Sequence, residues 1–82
     1  MNNKEQIIKD LEGIFSKTQL KQVNIEYSDR CGGEIEITGS ESVMMILDNE
    51  KSKLFSKFKD VMWEHDLSYD FRTYRCIVVY ED

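Results

Sequence analysis

A strongly one-sided pattern of apolar residues occupies residues 48–67. The apolar residues recur at i, i+1, i+4, i+7 and i+8, which places them on one side of an α-helix. They are Leu54, Phe55, Phe58, Val61 and Met62. We expect Asp48 or Asn49 to cap the first turn, because a short side-chain oxygen accepts hydrogen bonds from its free N–H groups. Such a helix needs an apolar surface to pack against, and alternating stretches occur before and after it.

Residues 3–17 repeat this pattern and predict a second helix. The apolar residues have the same spacing, and they are Ile7, Ile8, Leu11, Ile14 and Phe15. Asn2 or Asn3 is placed to cap this helix. We interpret the two stretches as two helices that pack in the same way, with an internal duplication as the alternative.

Alternating residues predict a β-hairpin after the first helix. Residues 23–28 alternate between apolar and polar side chains, which is typical of a half-buried strand. Residues 29–33 end in two glycines that tolerate a positive φ, so they predict a turn. Residues 34–38 alternate again and are expected to pair with the first strand.

Further strands are predicted in the rest of the chain. Residues 43–47 are continuously apolar, which favours a strand covered on both faces. Residues 74–80 alternate and predict another strand, while residues 68–73 are a loop, a short extra strand or the start of that strand. The predicted order is therefore α-β-β-β-α-β. Over residues 1–82 we expect a single α+β domain, an antiparallel-rich sheet with two helices packed on one face.

Composition favours a small globular protein. The chain has 82 residues, of which 40% are hydrophobic and 33% are charged, and this suits one packed core. Met1 is followed by polar residues, and no apolar run approaches the length of a bilayer span, so we expect no membrane interaction. Cys31 and Cys76 lack the density of a secreted disulfide scaffold. We therefore expect a reducing, cytoplasmic setting, with a Cys31–Cys76 disulfide as the alternative.

The net charge of −5 is concentrated in one part of the chain. Residues 21–48 contain six acidic and two basic side chains, whereas residues 1–20 contain three of each. Nucleic-acid phosphates would be repelled by this acidic excess, so we predict no direct binding to nucleic acid. A protein partner with a basic surface is favoured instead.

The sequence offers little for catalysis or cofactor binding. The one histidine, His65, falls at the end of the helix at residues 48–67, where a partly buried or capping role explains it. A nucleophilic pair with Cys31 or Cys76 would require a proximity that the sequence does not indicate. Zinc ligation by cysteine and histidine needs more of these residues at closer spacing, and no Gly-rich phosphate loop occurs. We therefore predict no enzyme activity, no catalytic residue, no metal and no cofactor.

Acidic residues of the hairpin form the first candidate site. If the apolar residues of both strands face the core, Glu26, Glu34 and Glu36 project together from the opposite face. Glu41, in the turn that follows, is grouped with them. Carboxylates gathered in this way repel one another without helping the fold, so we predict a binding surface for a cationic partner. A solvated sheet face is the alternative, and a site for a hard metal ion is a further one.

Trp63 is the second candidate site. It lies about 140° around the helix from Phe58, away from the apolar side. Either residues 66–73 cover it, or it is an exposed anchor for a partner or for a second copy of the chain.

Size, acidity and element order resemble two groups of small proteins, the phage-encoded anti-CRISPR inhibitors and the immunity proteins of toxin systems. The resemblance rests on a leading helix, the acidic strands around CGGEIEITGSE, a Trp-bearing helix and a short last strand that ends Tyr80-Glu81-Asp82. It includes no specific motif, so no residue roles are transferred. It implies an inhibitor of a basic or nucleic-acid-handling partner.

The predicted function is a small acidic, non-enzymatic protein-binding module, and in its specific form an inhibitor of such a partner. The alternative is a structural or assembly subunit that forms a homodimer through strand edges and the Trp63 surface.

Overall fold

The computed structural model describes residues 1–81, apart from the side chain of Cys31. Within this part, the chain forms four α-helices and one four-stranded sheet. The helices are α1 (Lys4–Glu12), α2 (Lys17–Leu20), α3 (Glu41–Leu47) and α4 (Lys53–Glu64). The strands are β1 (Val23–Ser28), β2 (Glu34–Gly39), β3 (Leu67–Thr73) and β4 (Cys76–Glu81). A short 3₁₀ turn, Arg30–Gly32, connects β1 to β2.

The sheet has the strand order β1-β2-β4-β3, and each neighbouring pair is antiparallel. This arrangement confirms the predicted α+β class and the antiparallel sheet. The extra strand considered near residues 68–73 is β3, a full strand at one edge of the sheet. The sequence left open whether the two cysteines are free or form a disulfide. Cys76 is a free thiol, and the side chain of Cys31 lies outside the described part.

The strand predicted at residues 43–47 is wrong, because this segment is helix α3. Ser40 Oγ accepts a hydrogen bond from the backbone N–H of Val43 at 3.4 Å and caps the helix. Three residues of the segment are buried with i, i+1, i+4 spacing, and two are exposed. The buried residues are Val43, Met44 and Leu47, and the exposed ones are Met45 and Ile46. The continuous apolar run conceals a helical pattern because its solvent side is also apolar.

The first turns of the two long helices differ from the prediction in detail. Helix α4 begins one residue after Ser52, whose Oγ accepts from the N–H of Phe55 at 3.0 Å. Asp48 and Asn49 therefore precede α4 and do not cap it. Asn3 occupies the predicted cap position of α1 but makes no side-chain hydrogen bond to that helix. Among residues 1–81, no helix combines the length and the apolar character that crossing a bilayer requires.

One face of the sheet packs against the helices and forms the core. Helices α1, α3 and α4 contribute buried side chains to a single cluster with this face, as expected for helices packed on one side. Phe58 of α4 is 1% exposed and packs edge-on against Tyr69 of β3, with ring centroids 5.0 Å apart. The completely buried strand residues are Ile35, Ile37, Ile77 and Val79.

Candidate functional site

The sheet face opposite the core is the candidate site, because the core cluster takes its strand residues from the other face. Side chains alternate between the two faces along a strand. Glu26 of β1 lies directly opposite Glu36 of β2, and Glu34 is two residues away along β2. The structure therefore brings these three predicted site residues together on one face, which we call the uncovered face.

Arginine side chains neutralise part of this acidic group, which the sequence analysis did not anticipate. Arg72 Nη2 donates to both carboxylate oxygens of Glu34, at 3.0 and 3.3 Å, and Arg72 Nη1 donates to Glu36 Oε1 at 3.1 Å. Arg30 Nη1 lies 3.6 Å from the same Glu36 oxygen. The hydrogen bonds that Arg72 donates to Glu34 raise the pKa of the Arg72 guanidinium above its ordinary value. The expected surface is thus acidic but partly paired.

The ion pairs make part of the uncovered face rigid and leave other carboxylates outside. Glu34 is buried, with 4% of its surface exposed, so its charge is available chiefly to Arg72. Glu26 is exposed and forms no ion pair with the described residues. Asp70 of β3 is also exposed and accepts a 2.8 Å hydrogen bond from the Tyr80 hydroxyl. Glu26 and Asp70 are therefore the carboxylates best placed to meet another molecule.

Val78 lies between the carboxylates of the uncovered face and contributes an apolar side chain to its centre. It is opposite Glu36 on one side and Asp70 on the other, and it is only 7% exposed although it lies outside the core cluster. Beside it, a cleft of about 370 Å³ opens between Gly33 and Tyr80.

Burial, with a smaller contribution from Glu36, raises the pKa of the nearby Cys76 thiol, so this thiol stays protonated and is a poor nucleophile.

The other two predicted site residues lie elsewhere. Glu41 is exposed in the first turn of α3, beyond the end of β2. Trp63 is on α4, in the helical layer that covers the opposite face of the sheet, and it is 89% exposed. Residues 66–73 do not cover it, so the packing explanation for Trp63 is wrong and the exposed alternative describes its position. The predicted set therefore divides between two surfaces.

His65 has the partly buried, capping position that its place in the sequence indicates. It is the C-cap residue of α4, and its Nε2 lies 2.7 Å from Asp10 Oδ2 of α1. The hydrogen bond from His65, and then one from Gln6, hold the pKa of Asp10 below its ordinary value of 3.8. The pair therefore connects the last turn of α1 to the end of α4.

Sequence reasoning missed Arg72 and Asp70 because it left residues 68–73 open between a loop, a short extra strand and the start of the last strand. The alternation of Ser68, Asp70 and Arg72 with apolar or aromatic neighbours was the available signal. A strand at these positions would have placed both charged residues on the same face as the glutamates.

Comparison of the chain with protein-family models, with curated proteins and with solved structures gives no match. The functional argument therefore rests on the geometry and charge of the molecule itself.

Proposed function

We propose that the protein is a small non-enzymatic binding module whose uncovered face binds a protein with a basic surface. The supporting observation is that four carboxylates lie on the sheet face opposite the helices, whereas the two arginines beside them form ion pairs with only two of the four. The carboxylates belong to Glu26, Glu34, Glu36 and Asp70, and the arginines are Arg72 and Arg30.

The residues of the uncovered face have different roles in this proposal. Arg72 holds Glu34 and Glu36 in fixed positions, and so provides a rigid support across the sheet. Glu26 and Asp70 are exposed and meet the cationic groups of the partner. Charges of this kind increase the association rate and select the partner more than they add affinity. We therefore expect binding to weaken as salt concentration rises.

In its more specific form, the proposal is that the protein inhibits a nucleic-acid-handling partner. A groove that binds nucleic-acid phosphates is lined by lysine and arginine. An acidic sheet face competes for that groove by offering carboxylates where the phosphates would lie. The chain's net charge of −5 supports this form, because it favours basic surfaces and disfavours direct contact with nucleic acid.

The test compares two variants with the same change in charge. Glu26→Lys with Asp70→Asn alters the uncovered face, and Glu12→Lys with Glu50→Gln alters exposed positions away from it. Glu34 is left intact, because reversing its buried, paired charge would disturb the fold. Each protein is immobilised, exposed to lysate of its native cells, and the retained proteins are quantified by mass spectrometry.

We expect the uncovered-face variant to retain about tenfold less of one or more basic proteins, and the control to retain them as the wild type does. Purified candidates are then titrated against both variants at low and high salt. Equal retention by the two variants would refute the proposal, as would retention of proteins without a basic surface.

A homodimer through Trp63 is the second candidate function. The observation that favours it is the 89% exposure of this large aromatic residue, a residue type enriched at the centres of protein interfaces. We expect the mass measured by light scattering to double with concentration, and Trp63→Ala to abolish this increase. Tyr74→Ala, at another exposed aromatic residue, is the control. A constant monomer mass at all concentrations would exclude the dimer.

A further inference from the structure

We propose that Asp10, Glu64 and His65 form a binding site for a zinc ion where α1 meets the end of α4. Each of the three residues offers one ligand atom, and these atoms lie within 4.8 Å of one another. His65 Nε2 and Asp10 Oδ2 already face each other at 2.7 Å. This site lies away from the uncovered face and does not depend on the proposed function.

The donor set fits zinc better than the hard cations. Zinc binds imidazole nitrogen and carboxylate oxygen, whereas Mg²⁺ and Ca²⁺ prefer ligand sets made of oxygen. Three protein ligands and one water complete a tetrahedral site. Counting cysteine and histidine in the sequence missed this site, because two of its three ligands are carboxylates.

Small movements would convert the present arrangement into a coordination site. Tetrahedral ligands about 2.1 Å from zinc are about 3.4 Å from one another, so the His65–Asp10 contact would open by less than about 1 Å. The Asp10 side chain is 28% exposed, and Glu64 is exposed, so both have room to rotate. Gln6 Nε2 donates to Asp10 Oδ1 at 2.9 Å, which leaves Oδ2 directed at the ring. Hydrogen bonds of this kind orient metal ligands in proteins.

The local charge also favours a cation. Two carboxylates lie beside one imidazole, and among the described residues neither carboxylate forms an ion pair with a lysine or arginine. Asp10 is in the last turn of α1, and Glu64 and His65 are at the end of α4. The C-terminal end of a helix carries a partial negative charge, so two such ends meet here. A divalent ion would neutralise the two carboxylates and offset the charge of both helix ends.

The test is a titration of the protein with zinc chloride. Calorimetry measures the affinity and stoichiometry, and two-dimensional NMR locates the residues that respond. Both cysteines are replaced by serine beforehand, because thiolates bind zinc strongly. We expect one zinc per chain, with the largest NMR shifts at Gln6, Asp10, Glu64 and His65. Magnesium chloride at the same concentration is expected to leave these signals unchanged.

Variants of the ligands decide between a site and general attraction to an acidic protein. Loss of an outer partner alone costs 10–100-fold in metal affinity, so His65→Ala and Glu64→Gln are each expected to weaken binding by about tenfold or more. Asp60→Asn removes an exposed carboxylate from the same helix and is expected to leave affinity unchanged.

Glu64→Gln settles the question if His65→Ala fails to fold, because Glu64 is exposed and lies outside the His65–Asp10 hydrogen bond. The proposal is refuted if zinc affinity is unchanged in Glu64→Gln, if Asp60→Asn weakens binding equally, or if the NMR shifts concentrate elsewhere. Each result leaves the proposed function of the uncovered face unaffected.

Discussion

Truncation of Phe58 tests whether α4 is fixed to the sheet as described. The ring is 1% exposed and packs edge-on against Tyr69 at 5.0 Å between centroids. Removing a buried phenylalanine loses its transfer free energy and leaves a cavity, which together cost about 3–5 kcal/mol. A domain of 82 residues has a free energy of unfolding of about 4–12 kcal/mol. We therefore expect Phe58→Ala to remove a large part of the stability.

Urea denaturation followed by circular dichroism measures this loss. Lys57→Ala is the control on the same helix, and because Lys57 is exposed we expect a change within about 0.5 kcal/mol. A double-mutant cycle with Tyr69→Leu isolates the ring pair, which we expect to contribute about 0.5–1.5 kcal/mol. A loss below about 1 kcal/mol for Phe58→Ala would refute the packing described for α4.

Two further predictions concern the ion pairs. Arg72→Met should lower the urea midpoint, because Glu34 would remain buried without its partner, and adding Glu34→Gln should recover part of the loss; an unchanged midpoint in the single variant would contradict this role. The pKa of Asp10 is lowered in the folded state, so its contribution to stability is present above its ordinary pKa of 3.8 and is lost as pH falls through the folded value. The difference in unfolding free energy between wild type and Asp10→Asn should therefore shrink as the pH falls below the ordinary value of 3.8, and a constant difference would argue against the pairing with His65.

The main features of the fold could be predicted from local patterns. The spacing of Leu54, Phe58 and Val61 indicates which side of α4 is buried. In the same way, the alternation in residues 23–28 and 34–38 indicates which face of each strand packs against the core. These patterns repeat within a few residues, so they can be seen without knowing the rest of the molecule. The segment at residues 43–47 was predicted wrongly because all of its residues are apolar, and periodicity then cannot separate a strand from a helix.

The candidate site could be predicted only in part. Alternation along one hairpin places Glu26, Glu34 and Glu36 on the same face, and the pairing of Glu26 with Glu36 agrees with this. The alternation along one hairpin gives no information about which side chains other strands bring to the same face. The exposure of Trp63 and the approach of His65 to Asp10 were likewise undetermined, because each depends on how separate elements pack.

Local patterns along the chain are sufficient to predict the amphipathic character of the long helices, the inward and outward sides of the strands, and the excess of acidic residues in the hairpin. The position of β4 between β2 and β3 comes from tertiary packing, and it allows Arg72 to reach across β4 and neutralise Glu34 and Glu36. Side-chain periodicity is set by the geometry of a few neighbouring residues. The charge that a surface presents depends instead on contacts between segments far apart in the chain, and Glu34 and Arg72 are 38 residues apart.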